Sequence, residues 1–167
     1  MSQKYNAALR RAFGAIVMNN TTTVRVKKLS DNAILPKYGT ACAAGADLYA
    51  CLDKNTETLA PGETKLIHTG IALEIPQGLV GLVYARSGLA SKRGLAPANK
   101  VGVIDSDYRG EIMVAIYNQS RETQTIENGE RIAQLVIAPY YTAQFELCGS
   151  LDDTARGEGG FGSTGTK

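Results

Sequence analysis

Several residue types that support common enzyme chemistries are scarce in this chain of 167 residues. The sequence contains no tryptophan, one histidine (His68) and three cysteines. A Ser-His-Asp or Cys-His mechanism would therefore have to use His68. The cysteines, Cys42, Cys51 and Cys148, cannot all pair internally and match no zinc-binding spacing, which favours reduced thiols and a cytoplasmic location. No apolar run approaches the roughly 20 residues of a membrane-spanning helix, so no membrane partner is expected.

Acidic residues are missing from the first 30 positions, where six lysines and arginines occur before Asp31. Basic, acid-free and alanine-bearing, residues 1–17 have the composition of an amphipathic targeting peptide or a nucleic-acid-binding arm. A flexible extension, or a start at Met18, is the interpretation that we favour over organellar targeting. The formal charge of the whole chain is only +2, so no nucleic-acid partner is expected. We therefore assign residues 1–20 to an N-terminal extension.

Short alternating segments dominate the sequence from residue 24 onward. They predict strands at 24–29, 71–75, 79–84 and 112–116, and a short buried run predicts another at 135–137. Turn residues such as Asn128 with Gly129 separate them. No sustained helical period occurs after residue 20, apart from one turn at 88–92, and there is no Walker glycine loop. The pattern predicts one all-β domain over residues 21–150, an antiparallel barrel or sandwich.

Two segments combine small residues with a charged side chain. In Ala44–Ala50, Asp47 follows a small turn, where a carboxylate could hold a hard cation directly or through water, or could simply close the turn. In Ala85–Ala90, Arg86 supplies a positive charge at the end of a strand. Ser87 is predicted near the N-cap of the helical turn, a position that suits an anion. Ser87 is a weaker candidate for a nucleophile because no general base is evident nearby.

Residues 99–110 are predicted to form a hairpin with two carboxylates, Asp105 and Asp107, at its bend. A carboxylate there is ionised at neutral pH and can take a proton from water. A metal site or a glycosidase pair is the alternative, but a spacing of two places both groups on one strand face, too close for inverting glycosidases. Further along, Arg131 is interpreted as a structural partner of a carbonyl or an acid. Gln134 is either a ligand donor or a buried hydrogen-bond partner.

The last twelve residues, 156–167, include five glycines and too little apolar side chain to pack as a helix or strand. Ordering that much glycine backbone costs roughly 1–2 kcal/mol per residue. The segment nevertheless carries Arg156, Phe161, Ser163 and Thr164. Arginine, hydroxyls and glycine amides suit phosphate oxygens, and a phenylalanine without a core suits stacking on a flat ring. Taken alone, the composition of the segment fits a disordered, solvated tail as well as it fits a ligand-binding segment.

Taken in order, five segments resemble the five motifs of the homotrimeric dUTPases (deoxyuridine 5'-triphosphate nucleotidohydrolases). They are Ala44–Ala50, Arg86–Ala90, Gly102–Gly110, Glu130–Val136 and Arg156–Gly165. The resemblance spans residues 24–165. It implies an antiparallel jelly-roll-like fold, a homotrimer with shared active sites, and a C-terminal arm, residues 151–167, that closes over a neighbour's site. The implied reaction is hydrolysis of dUTP to dUMP and pyrophosphate by water attack on the α-phosphorus.

The resemblance also implies roles for individual residues. Asp105 matches the general base, and Tyr108 matches the residue whose ring packs under the deoxyribose and excludes a 2′-hydroxyl. Asp47 would contact the water shell of Mg²⁺, which the triphosphate itself would largely hold. The other matches are substrate contacts: Asn99, Gly102, Ile104 and Met113 in the uracil-reading segment, Arg86, Ser87, Gly88 and Gln134 on the phosphates, and Arg156, Phe161, Gly162, Ser163 and Thr164 in the tail.

Two other functions fit parts of this pattern. The dCTP deaminases resemble dUTPases in fold and trimer, but their catalytic glutamate aligns with Ala115, and alanine cannot perform acid-base chemistry. A non-catalytic nucleotide sensor is the second alternative, and the intact Asp105 and tail speak against it. The enzyme hypothesis further implies removal of dUTP and supply of dUMP for thymidylate synthesis.

Overall fold

The computed structural model describes residues 21–160, and the predictions for the N-terminal extension lie outside this range. The described part contains eleven strands and one short helix. In chain order they are β1 (Arg25–Lys28), β2 (Lys37–Tyr38), β3 (Ala46–Tyr49), β4 (Thr56–Leu59), β5 (Thr64–Glu74), β6 (Leu79–Tyr84), α1 (Ser87–Arg93), β7 (Leu95–Pro97), β8 (Val101–Ile104), β9 (Glu111–Asn118), β10 (Gln124–Glu127) and β11 (Arg131–Pro139). No helix in this part of the chain has the length and apolar character needed to span a membrane.

Two antiparallel sheets form the body of the domain. One has four strands in the order β1-β5-β9-β7, and the other has five in the order β2-β3-β11-β6-β8. Strands β4 and β10 pair separately as a two-stranded ribbon. The predicted all-β, antiparallel, jelly-roll-like fold is confirmed.

Alternation along the strands turns one face of each sheet toward a common core. In β9, Ile112, Val114 and Ile116 are at most 3% exposed, whereas Met113 between them is 37% exposed. These three residues pack in one cluster with Val83 of the five-stranded sheet. Burying an isoleucine or valine side chain contributes about 1.5–3 kcal/mol, so this shared core holds the two sheets together.

Most of the predicted elements are confirmed. The segments at 24–29, 71–75, 79–84, 112–116 and 135–137 correspond to β1, β5, β6, β9 and β11. The helical turn predicted at 88–92 is α1, which is one residue longer at each end. It ends at Gly94, whose left-handed conformation (φ 66°) a glycine adopts without steric cost.

The hairpin predicted at 99–110 is wrong. Strand β8 pairs with β6, whereas β9 pairs with β5 and β7, so the two strands belong to different sheets. Residues 105–110 form a turn that connects the sheets, and both Asp105 and Asp107 lie in this 105–110 turn rather than on one strand face. The physical reason is burial: separate pairing places Ile104 and Ile112 in the common core, which an isolated two-stranded hairpin could not provide.

Candidate active site

A cleft lies where β8 and β9 diverge into the two sheets. It has a volume of about 260 Å³, near the lower end of the range for small-molecule sites. Leu66, Glu111 and Ala115 form part of its wall. The cleft also brings together six of the residues predicted for the site: Asn99, Gly102, Ile104, Asp105, Tyr108 and Met113.

The ring of Tyr108 lies against Gly110 within the 105–110 turn. A Cβ atom at position 110 would lie 2.6 Å from Tyr108 Cζ, so only a glycine leaves room for the ring in this position. The Tyr108 hydroxyl donates to the Glu111 carbonyl oxygen at 3.0 Å, and the Tyr108 N–H donates to the Asp105 carbonyl oxygen at 3.2 Å. These bonds hold a half-exposed aromatic face and an exposed carboxylate, that of Asp105, side by side at the cleft.

In the five-stranded sheet, Asp47 in β3 is bound by two arginines. Nε of Arg86 donates to Asp47 Oδ1 at 2.7 Å, and Nη1 of Arg131 donates to Asp47 Oδ2 at 3.1 Å. The prediction that Arg131 satisfies an acid is confirmed. Two guanidinium groups and one carboxylate leave a formal surplus of positive charge, and this arginine cluster therefore favours an anion over a free cation.

Strand register places Gln134 beside this arginine cluster. Gln134 in β11 lies opposite Asp47 of β3 on one side and opposite Tyr84 of β6 on the other. Its side-chain amide donates to the Ala85 carbonyl oxygen at 2.8 Å. A side chain at Gly45 would collide with the Gln134 amide, so the glycine allows this close approach.

Helix α1 starts immediately after Arg86. The N-cap is Arg86 itself, with extended backbone (φ −86°, ψ 126°), and no side chain caps the helix. The prediction that Ser87 lies near the N-cap is confirmed, because Ser87 is the first residue of the helix and directly follows the N-cap Arg86. Ser87 and Gly88 are exposed, and the first N–H groups of a helix have no partner within it. Their backbone can therefore still meet an anion.

Within one chain, Asp105 and the arginine cluster lie toward opposite ends of the pairing between β6 and β8. In the pairing of β8 with β6, Ile104 lies opposite Gly81, five residues before Arg86. At about 3.3 Å per residue, the backbone of Arg86, two residues beyond the end of β6, lies up to roughly 17 Å from the strand end that carries Asp105. The structure therefore brings the predicted residues together in two groups rather than one.

The described end of the chain is exposed. Residues 140–160 form no strand, and Tyr141, Phe145 and Leu147 are at least 95% exposed. Arg156 is exposed as well, and its Nε donates to the Gly159 carbonyl oxygen at 2.7 Å. The remaining predicted tail contacts lie outside the described residues: Phe161, Gly162, Ser163 and Thr164.

Comparison with known proteins identifies the family. A dUTPase family model matches residues 31–165, more than three quarters of the chain. The chain belongs to the dUTPase family. This confirms the resemblance noted in the five sequence motifs. The deoxyuridine 5'-triphosphate nucleotidohydrolase of Desulfitobacterium hafniense (strain DSM 10664 / DCB-2) is 57% identical to this dUTPase over 132 residues, 78% of this chain and 87% of that protein. That of Hahella chejuensis (strain KCTC 2396) is 51% identical over 142 residues, 84% of this chain and 93% of that protein.

Solved dUTPases share the fold of this dUTPase. The Staphylococcus bacteriophage 80alpha dUTPase with dUPNHPP matches with a TM-score of 0.78 and 34% identity over 87% of this chain and 99% of that one. A mutant dUTPase from phage phi11 of S. aureus matches with a TM-score of 0.71 and 29% identity over 79% of this chain and 100% of that one. That second structure reveals the coordination of a structural Mg(II) ion.

Sequence reasoning missed one pair of residues beside the cleft of this dUTPase. The sequence points to His68 only as a candidate member of a catalytic triad, and no sequence pattern singles out Glu111. In the structure, His68 Nδ1 and Glu111 Oε2 are 2.8 Å apart although the residues are separated by 43 positions. The one local signal was the position of His68 on the exposed side of an alternating strand, which does not identify its partner.

Proposed function

We propose that the chain is a dUTP diphosphatase, which hydrolyses dUTP to dUMP and pyrophosphate. The observation that carries the proposal is the cleft shared by Asp105 and Tyr108 in a chain of the dUTPase family. The reaction would remove dUTP from the nucleotide pool and supply dUMP for thymidylate synthesis. Our expectations of a cytoplasmic location and of no nucleic-acid or membrane partner stay predictions.

In this proposal, uracil is read mainly by the backbone of the cleft. Fixed N–H and C=O groups cannot rotate to accept the reversed donor pattern of cytosine. A Cβ atom at Gly102 would lie only 3.2 Å from Val83 Cβ, so the backbone there is packed closely and is held in place. A close wall excludes the methyl group of thymine, whereas an open pocket would discriminate by only about 1–3 kcal/mol. Asn99, Ile104 and Met113 complete this subsite.

Asp105 is the general base of the proposed reaction. Its carboxylate orients a water molecule and accepts its proton while the water oxygen attacks the α-phosphorus. The bond from the α-phosphorus to the bridging oxygen breaks, and pyrophosphate leaves. The ring of Tyr108 packs under the deoxyribose and occupies the space that a 2′-hydroxyl would need. Phosphoryl transfer depends mainly on positioning and charge neutralisation, so the reaction needs neither a histidine nor a covalent nucleophile.

The arginine cluster and the start of α1 bind the phosphate chain in this proposal. Asp47 already holds the Arg86 guanidinium in one orientation, which lowers the entropy cost of placing it on phosphate oxygens. Gln134 and the backbone at Ser87 and Gly88 add neutral donors. The tail supplies the remaining contacts: Arg156, Ser163 and Thr164 on the outer phosphates, Phe161 stacked over the uracil ring, and Gly162 as a further substrate contact.

Mg²⁺ accompanies the triphosphate in this proposal. Within residues 21–160, no group of three or more His, Cys, Asp or Glu side chains is arranged to hold a metal ion. Asp47 accepts a hydrogen bond from an arginine at each carboxylate oxygen, and each oxygen keeps a second lone pair. This arrangement fits an ion bound by phosphate oxygens and water, whose water shell Asp47 contacts. When bound, Mg²⁺ would neutralise phosphate charge.

A homotrimer would unite the two groups of site residues. In one chain, Asp105 and the backbone of Arg86 lie toward opposite ends of the β6–β8 pair, up to roughly 17 Å apart along the strand direction. A neighbouring copy can supply the arginine cluster opposite the cleft. The exposed side chains of Tyr141, Phe145 and Leu147 are available to pack on a neighbouring copy, which is compatible with an arm, residues 151–167, that reaches a neighbour's site.

Pyrophosphate release from dUTP, dTTP, UTP and dCTP in the presence of Mg²⁺ tests this proposal. We expect release from dUTP alone and no ammonia. Ammonia from dCTP would instead identify a deaminase, which is disfavoured because Ala115 stands where the resemblance places the catalytic glutamate of the deaminases. Binding of dUTP without turnover would support a nucleotide sensor.

A further inference from the structure

Strand β5 contains a bulge opposite the first residues of β9. His68 pairs with Met113 and Ala72 pairs with Glu111, so residues 69–71 of β5 face Ile112 alone. Gly70 in this bulge has a positive φ of 67°. A bulge breaks the regular ladder and leaves backbone groups that need other partners.

The carboxylate of Glu111 provides one of those partners and also binds the His68 side chain. Its Oε1 accepts from the Gly70 N–H at 2.8 Å, and its Oε2 accepts from His68 Nδ1 at 2.8 Å. Burial acts to raise the pKa of Glu111, but the hydrogen bonds from His68 and Gly70 outweigh burial and lower this pKa below its ordinary value. The group is therefore an anion that accepts from both donors.

Glu111 also borders the 105–110 turn. It is the first residue after this turn, and its carbonyl oxygen accepts from the Tyr108 hydroxyl at 3.0 Å. The cleft is lined by Glu111 together with Asp105, Tyr108 and Met113, and Met113 lies directly opposite His68 in the sheet. One residue thus binds the β5 bulge through its side chain and the Tyr108 ring through its backbone.

We propose that Glu111, held by His68, is a positioning residue that fixes the 105–110 turn in its working geometry. The carboxylate anchors the start of β9 to the bulge, and this anchor sets where Asp105 and Tyr108 lie. Neither Glu111 nor His68 takes a proton from substrate or water in this account. The inference rests on the proposed dUTP hydrolysis.

Three variants and one control test this role by steady-state hydrolysis of dUTP. Glu111→Ala removes both contacts. Glu111→Gln keeps them, because its amide oxygen accepts from Gly70 N–H and its amide nitrogen donates to the other tautomer of His68. His68→Ala removes one contact from an exposed position. The control is Glu57→Ala. Glu57 lies in β4 and pairs with Lys65 of β5 at 2.7 Å, and its side chain is as exposed as that of Glu111 (20% against 22%). Among the residues that the structure describes, its carboxylate bonds only to Lys54 and Lys65 and makes no hydrogen bond to the 105–110 turn.

We expect kcat/KM to fall by about 10- to 100-fold in Glu111→Ala, because a misplacement near 1 Å can cost that much. We expect about a 3- to 10-fold loss in His68→Ala and a value within about 2-fold of the parent in both Glu111→Gln and Glu57→Ala. Deuterium uptake of a peptide spanning 105–113 should rise in Glu111→Ala and not in Glu57→Ala.

Several results would overturn the positioning role. One is a His68→Ala protein whose kcat/KM equals that of the parent. Another is an equal loss of kcat/KM in Glu111→Ala and Glu57→Ala. The third is a Glu111→Gln protein whose kcat/KM is as low as that of Glu111→Ala. If Glu111→Ala does not fold, the His68→Ala result decides. A parent protein that does not hydrolyse dUTP would contradict the proposed function itself, which separates the two failures.

Discussion

Replacing Gly110 with alanine tests whether the position of Tyr108 sets the sugar selectivity. The new Cβ atom would lie 2.6 Å from Tyr108 Cζ and 3.0 Å from Cε2. Carbon atoms in ordinary contact are about 3.5–4.0 Å apart, so the ring must recede by about 1 Å. Position 110 has no positive φ, and alanine is therefore compatible with its backbone. The substitution thus moves the ring without straining the chain.

The cost to stability should be small and the cost to selectivity large. Tyr108 is 43% exposed and can swing outward, which sacrifices mainly its bond to the Glu111 carbonyl oxygen. A hydrogen bond of this kind contributes about 1 kcal/mol. A ring displaced by this distance no longer fills the space of a 2′-hydroxyl, and steric discrimination of this type amounts to about 1–3 kcal/mol. We therefore expect the ratio of kcat/KM for dUTP over UTP to fall by at least about 10-fold.

Two quantities are measured for each variant: the rate of pyrophosphate release from dUTP and from UTP, and the thermal midpoint of unfolding. Gly39→Ala is the matched control, because Gly39 also has no positive φ and a Cβ atom there meets nothing within 4 Å. It should leave both the selectivity and the midpoint unchanged. An unchanged dUTP-to-UTP ratio in a folded Gly110→Ala protein would refute the reasoning.

Three further predictions follow from the same structure. Asp105→Asn should lower kcat by about 10²–10⁴-fold while dUTP still binds, as measured by turnover and calorimetry, and an unchanged kcat would remove Asp105 as the base. Deletion from Arg156 onward should leave a folded oligomer with little activity, and a deletion that dissociates the oligomer would instead make the tail structural. Hydrogen bonds from Lys65 and Lys54 lower the pKa of Glu57 from 4.5 to about 2. Because the folded-state pKa is the lower one, this stabilisation is complete above about pH 4.5 and is lost as the pH falls toward 2. Glu57→Gln should therefore lose less stability than the parent between those pH values in thermal melts, and parallel losses would contradict the ion-pair account.

The positions of strands could be predicted from the sequence because alternation is a local property. The segment at 79–84 corresponds residue for residue to β6. Pairing is not local, and the flanks of the 105–110 turn show the difference. Both flanks alternate as a hairpin would, yet the core draws Ile104 and Ile112 into separate sheets. Composition and periodicity do not report which partner a strand will find.

The candidate site shows the same difference between what the local sequence predicts and what only the fold determines. The motifs identify Asp105, Tyr108 and Arg86 through a family resemblance, which carries information that no single pattern contains. The contacts among site residues are different, because they join positions far apart in the chain. Arg131 reaches Asp47 across 84 positions, and His68 reaches Glu111 across 43. Only the folded sheets show that Asp47 is bound by arginines and that the bulge in β5 has a carboxylate partner.

The place of β11 in its sheet has a consequence for synthesis on the ribosome. Strands β3 and β6 are both neighbours of β11 and do not pair with each other. Each therefore keeps an open edge until Arg131–Pro139 has emerged, late in translation. The contact between Arg131 and Asp47 cannot exist before that moment. A nascent or prematurely terminated chain would thus lack the complete arginine cluster, and the proposed activity would require that β11 has been made.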